Sequence, residues 1–217
     1  MLNFSVLINY YDLFLRGFYH TILASVLALI GSFLLGTLLA VMRIAPFKPL
    51  NWVGTIYVEF IRNIPLLLVV YAFYLGLPSL GITMSGFICG TLGLIVYTAS
   101  YIAEAIRAGI MSVPKGQMEA ARASGLTYGQ AMLNVILPQA IKIVVPPISN
   151  QFLNLVKNSS ILSVVAGLDL MYFGEKVEAE TFITFDTYII VGLFYLILTI
   201  PLSYASGLLE RRLAKSG

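Results

Sequence analysis

Apolar residues in this chain fall into five long runs separated by short polar breaks. About 20 consecutive apolar residues carry a helix across a bilayer. The first run, 17–42, is interrupted only by His20 and is closed by Arg43, Pro46 and Lys48. The second, 52–77, contains Glu59, Arg62 and Pro65, and Pro78, Gly81 and Ser85 mark the turn after it. The third, 86–110, carries Glu104 and Arg107 near its end; the fourth, 141–165, carries Lys157 in its later half. The fifth spans 187–208 and leads into Glu210, Arg211, Arg212 and Lys215. The pattern predicts an all-α integral membrane protein with five transmembrane helices in one domain, 1–217. Gly31, Gly36, Gly90 and Gly93 lie inside the runs, where small residues let helices approach closely in lipid.

Two polar stretches stand out between the runs. The first is 111–139. Ser112 and Pro114 suit the entry to a helix, with proline at its first position, and 115–123 reads as that helix. Gly125 supplies a left-handed stop. Thr127 followed by Gln130 forms a capping box that starts another helix, with Pro138 near its end. The expectation is two short helices at an angle, hinged at Gly125. The second polar stretch, 167–186, holds Asp169, Glu175, Glu178, Glu180 and Asp186, five of the ten acidic residues, against Lys176.

Composition decides between lipid and water as the solvent of the apolar runs. Only 11% of the 217 residues are charged and 59% are hydrophobic, whereas a soluble domain carries about 25% charge. So few charges do not solvate a soluble surface. The net charge of +3 is small, and no basic patch interleaved with aromatics indicates nucleic acid. Cys89 is a lone thiol in an apolar run, so it forms neither an intramolecular disulfide nor a thiolate cluster. His20 is alone and reads as packed; no metal site is expected. The first residues lack the basic start and short apolar core of a cleaved leader, so the first run is expected to be retained as a span. Basic residues collect near one set of span ends: Arg43, Lys48, Arg107, Lys115, Arg122, Lys142, Arg211, Arg212 and Lys215, against Arg16 and Lys176 on the other side. This asymmetry predicts a cytoplasmic C-terminus and an external N-terminus.

The loop carries a composite motif. Glu119-Ala120-Ala121, three residues, Gly125, nine residues, Val135, one residue and Leu137-Pro138 resembles the "EAA" loop of importer-type ABC permeases, with Val135 where the family usually has isoleucine. Glu59-Phe60-Ile61-Arg62 before Pro65-Leu66-Leu67, Ala103-Glu104 with Arg107-Ala108-Gly109, Val113-Pro114-Lys115-Gly116-Gln117 and Lys157-Asn158-Ser159-Ser160 resemble the polar amino-acid permeases of that superfamily, the histidine, glutamine and arginine permeases. The resemblance covers nearly the whole chain. It implies a type I ABC importer fold in a prokaryotic plasma (inner) membrane, with 111–139 as the cytoplasmic coupling loop. It also implies a separate ABC ATPase in two copies, a second permease copy or homologue, an extracytoplasmic binding protein and an amino-acid substrate. No Gly-x-x-x-x-Gly-Lys-Ser/Thr phosphate loop is present, so ATP and magnesium belong to the ATPase partner. The chain is expected to need no cofactor and to be no enzyme itself.

The resemblance marks Gln117, Glu119, Ala120, Ala121 and Gly125 as ATPase-coupling residues. Physically, Ala120, Ala121 and Gly125 let a partner approach and Glu119 offers a charge to pair. A surface-lying amphipathic hairpin would instead need a broad apolar face, and 115–124 has only Met118. Charges inside spans mark function or structural pairing. Glu59 with Arg62, and Glu104 with Arg107, are three apart and are expected to pair along their helices. Arg62, Lys157, Ser159, Asp169 and Glu178 are the candidates for a substrate pathway, Arg62 as partner for an amino-acid carboxylate. The resemblance places an acid at Asp169 for the substrate ammonium and makes Glu178 the candidate for side-chain selectivity. An acidic outer segment favours cations, so arginine, lysine or histidine is the expected substrate; a solvated loop that docks the binding protein is the other reading of the same charges. The rival function is an ion-coupled secondary transporter or channel. That class shows internal repeats and mid-membrane coupling acids, and neither is visible here.

Overall fold

The structure is a computed structural model that describes residues 5–215, with side chains described to Leu213; Lys215, read above from sequence, therefore lies beyond the described side chains. A short helix α1 (Ser5–Asn9) leads into α2 (Tyr11–Ile44). Then come α3 (Lys48–Arg62), α4 (Leu66–Ser79), α5 (Gly86–Ser112), α6 (Lys115–Ala123), α7 (Tyr128–Val165), α8 (Leu170–Thr181) and α9 (Thr184–Lys215). Helices α2, α5, α7 and α9 are each long and apolar enough to cross a membrane, and α3 with α4 forms a fifth, broken span.

The second run is not one straight span. It breaks between Arg62 and Leu66, where α3 and α4 diverge by 111°. Pro65 has no N–H to continue the helix and stands extended (φ −61°, ψ 141°) as the residue before α4. The second loop helix is also different from the expectation: it is not short. It starts at Tyr128 and runs on as α7 to Val165, so the fourth span and the loop share one rod.

Two π-helical turns have a common cause. Ala72–Gly76 lies two residues before Pro78, and Met132–Ile136 lies two residues before Pro138. A proline ring inside an α-helix collides with the carbonyl four residues back. Those carbonyls belong to Tyr74 and Asn134, both inside the widened turns, so each π turn makes room for its proline and lets the helix continue.

Packing is layered along the bundle. At one end Phe14, Leu170, Val177, Ile190 and Val191 form a core; in the middle Ala24, Ala28, Leu94, Leu155 and Leu162 do so; at the other end Leu39, Ala40, Val58, Ala99 and Ala103. Helices α2 and α5 touch through small residues. A Cβ at Gly36 would stand 2.8 Å from Ile102, and one at Gly31 would stand 2.8 Å from Ile95; at Gly90, on the side of α5 that meets α7, it would stand 2.5 Å from Leu162. Large apolar side chains such as Leu34, Trp52, Phe60, Phe185 and Tyr204 remain exposed, as a lipid-facing surface requires.

Candidate functional site

The loop between α5 and α7 is built from local rules that leave little freedom. Pro114 precedes α6 as its cap (φ −55°, ψ 133°), one position earlier than the sequence suggests. The helix ends in a closed motif: the Leu126 N–H donates to Ala121 O (3.2 Å) and the Gly125 N–H to Arg122 O (3.1 Å), with Gly125 at φ 89°. The Arg122 guanidinium adds a bond to Leu126 O (2.9 Å). The capping box forms as read: Gln130 N–H donates to Thr127 Oγ1 (3.3 Å), and Thr127 N–H to Gln130 Oε1 (2.8 Å).

Beneath the loop, Met118 packs with Val113, Met132, Ile136 and Ala140. Gln139 Nε2 donates to Gln117 Oε1 (3.3 Å), tying α6 to α7. Glu119, Ala120 and Gly125 are exposed, and nothing lies within 4 Å of where a Gly125 Cβ would be. Ala121 departs from the expectation of a presented residue: it is only 7% exposed and turns into the chain. It contributes through the Leu126 bond to its carbonyl, which closes the helix. The loop is thus a rigid, outward-facing platform joined directly to a membrane-spanning rod.

Three helices bring their charges together just inside this platform. Glu104 on α5 accepts from Arg43 Nη1 (2.5 Å) and Arg107 Nη2 (2.8 Å), and Arg62 Nη1 lies 3.8 Å away. The Glu104–Arg107 pair forms as expected. The Glu59–Arg62 pair is replaced: Glu59 meets Arg43 (3.3 Å), while Arg62 reaches Glu104 and lies over the Tyr101 ring at 5.3 Å. Residues three apart share a helix face, but α2 offers a guanidinium closer to Glu59. Arg43 is the hub, with its side chain 6% exposed, and Asn51 donates to its carbonyl oxygen. Sequence reading used Arg43 only to close the first run and to orient the chain. The usable signal was that Arg43, Glu59, Arg62, Glu104 and Arg107 all sit near the same ends of adjacent apolar runs.

At the opposite end the polar residues meet differently. The acidic stretch contains a helix, α8, that the sequence reading left as a polar segment. Ala166 and Leu168 adopt left-handed backbone (φ 54° and 59°) around Gly167, and Asp169 then caps α8. Its carboxylate is fully buried and accepts from Met171 N–H (3.0 Å) and Tyr172 N–H (3.2 Å), with the Tyr195 hydroxyl at 3.4 Å. Burial pushes Asp169 up to about 7; the two N–H bonds oppose this, and nearby Glu175 adds to it. Thr21 accepts from Leu170 N–H (2.9 Å). Ser159 is buried and donates to Val156 O (2.7 Å).

The remaining pathway candidates are dispersed. Lys157 is exposed and lines a cavity of about 270 Å³ with Leu153, Thr199, Ile200 and Ser203. Glu178 is half-buried and accepts from Thr184 Oγ1 (3.0 Å). Arg62 stands in the charge cluster, and Ser159 and Asp169 stand in the buried polar group. The single chain therefore does not gather Arg62, Lys157, Ser159, Asp169 and Glu178 into one pocket. The His20 Nδ1–H donates to Arg16 O (2.8 Å), and the ring packs edge-on to Phe87. Among the described residues no three His, Cys, Asp or Glu side chains converge as metal ligands.

The described chain is thus a bundle of four apolar helices and one broken span, with an exposed loop spliced into a spanning rod. The chain belongs to the family described as binding-protein-dependent transport system inner membrane component, which it matches over residues 32–215. It is 65% identical, over 99% of its length and 100% of the relative's, to a probable glutamine ABC transporter permease of Bacillus subtilis. It is 35% identical, over 98% of its length and 97% of the relative's, to an arginine transport system permease of the same organism. A solved structure, the crystal structure of an amino acid ABC transporter with histidines, superposes with a TM-score of 0.92 at 36% identity, covering 98% of this chain and 99% of the other. The type I importer fold and the permease role follow from these matches.

Proposed function

We propose that the chain is the permease subunit of an ABC importer for a polar amino acid, glutamine first among the candidates, acting as one domain over 1–217. The carrying observation is the exposed, doubly capped loop with Glu119 and Ala120 on its outer face, continuous with α7. A partner ATPase docked on that face moves α6, and α7 transmits the motion into the bundle. Two ATPase copies, a second permease copy and an extracytoplasmic binding protein complete the complex. The asymmetry of basic residues supports a plasma-membrane orientation with the loop and the C-terminus in the cytoplasm.

The substrate reading rests on two supports. The relative sharing 65% identity is named for glutamine. On this chain, Asp169 is engaged as a helix cap and Glu178 already accepts a hydrogen bond. The cationic reading draws on the five acids between 169 and 186 and on the 35%-identical arginine permease. Uptake of labelled glutamine by vesicles containing the permease, its ATPase and its binding protein, with arginine as competitor, separates the two. Glutamine uptake indifferent to arginine is expected, with Glu178→Gln changing neither. Strong arginine competition that weakens in Glu178→Gln reinstates the cation. Uptake by the permease alone on an ion gradient would overturn the importer reading.

A further inference from the structure

The charge cluster at the loop end is unbalanced. Arg43, Arg62 and Arg107 bring three guanidinium groups, and the ion pairs they make among the described residues go to Glu59 and Glu104 alone. Glu104 is shared by all three cations. The cluster thus keeps an excess positive charge, with Arg43 more than nine-tenths buried. Arg43 Nε is itself buried without a hydrogen-bond partner. A buried cation short of acceptors is costly.

A cavity of about 380 Å³ opens beside this excess charge. Arg43, Arg107 and Lys115 line it, so two arms of the cluster and one lysine of the loop face a shared space. The rest of the lining is largely apolar, including Ile44, Ile110 and Met118. Lys115 and Met111 are exposed, so the mouth lies at the surface where α5 meets the loop. Three cations converging on a space with apolar walls match a phosphate anion, which guanidinium groups bind through paired donors. Basic pockets between membrane helices near an interface take lipid headgroups in this way.

We propose that this cavity binds a phosphate group, that of an anionic phospholipid headgroup or free phosphate, and that the bound anion completes the neutralisation of Arg43 and Arg107 at the root of the loop. The site does not depend on which amino acid is carried, and its test reads binding rather than uptake.

The experiment uses the purified permease–ATPase complex in nanodiscs of phosphatidylcholine alone, of phosphatidylcholine with phosphatidylglycerol, and of phosphatidylcholine with inorganic phosphate in the buffer. Native mass spectrometry counts retained lipid and thermal unfolding reads the stabilisation. Retained phosphatidylglycerol with a raised unfolding temperature identifies a headgroup; stabilisation by inorganic phosphate without retained lipid identifies the free anion. In either case Lys115→Gln is expected to lower the affinity about fivefold, and Arg107→Gln to lower it further. Lys115 lies at the exposed rim, so its variant folds even if Arg107→Gln does not. Equal behaviour in all three nanodiscs, or an anion effect indifferent to Lys115→Gln, overturns the proposal.

Discussion

Ionisable groups are taken out of water at both ends of this bundle, and the two ends solve the problem in opposite ways. At the loop end, Arg43 is buried among carboxylates supplied by other helices, so charge is met by charge. At the other end, Asp169 is buried without a cation. It is met by two backbone N–H groups and a phenol, and its proton is retained up to about pH 7. The first arrangement holds three helices in register but fails if one partner is lost. The second is local to the start of α8 and responds to pH instead. The loop proposed for coupling sits on the charge-locked end, where α6 is tied to α7 through Gln117 and Gln139.

The largest expected effect tests the charge lock. Glu104→Gln leaves Arg43 buried with only Glu59 as counter-charge, and losing one member of a buried pair costs about 3–5 kcal/mol. Thermal unfolding of the purified variant should fall steeply, with reduced yield in the membrane. A variant as stable as the parent would mean that the Arg43–Glu104 contact does not bear on the packing of α2 against α5.

The hinge at Gly125 comes next. A β-branched residue at φ 89° carries strain of about 1–3 kcal/mol. Space is not the obstacle, since nothing stands near the missing Cβ. Gly125→Val should therefore insert and fold, yet lose substrate-stimulated ATP hydrolysis in the reconstituted complex. Normal stimulation would detach the closed end of α6 from coupling.

The pH-governed end makes a prediction with a definite sign. Asp169 is raised in the fold from 3.8 to about 7, so between those values the folded state holds a proton that the unfolded state has released. Stability should then fall as pH rises from about 4 to 7 and level off above. Asp169→Asn keeps one acceptor oxygen for the α8 cap and should flatten that slope, measured as unfolding temperature against pH. A slope unchanged in the variant would assign it to other acids of 169–186.

The smallest effect is expected at Thr127→Ala, which removes one half of the capping box and costs about 1 kcal/mol. Hydrogen exchange should quicken at Gln130 and Ala131 while the Arg43 cluster stays protected. Loss of protection across the bundle would show that the loop and the charge lock are one cooperative unit.

Much of this molecule was readable from residue order alone, because its rules are local. Apolar runs of span length, Gly125 as a left-handed stop, the Thr127–Gln130 box and the small residues on α2 and α5 each act within a few positions. So does the Glu104–Arg107 pair, one helical turn apart. The composite around Glu119 identified the family for the same reason: its spacing is that of two turns and a hinge. What the tertiary structure decided is every question of competing partners. Glu59 chose Arg43 over Arg62 because α2 delivers a guanidinium nearer than the neighbouring turn does. Asp169 became a buried cap rather than an open acid because α2 and α9 close over the start of α8. Ala121 turned inward, and the loop's second helix fused with the fourth span because a π turn made room for Pro138. Sequence spacing determines which groups a helix can present on one face; only the packing of distant helices determines which of them is met, and by what charge.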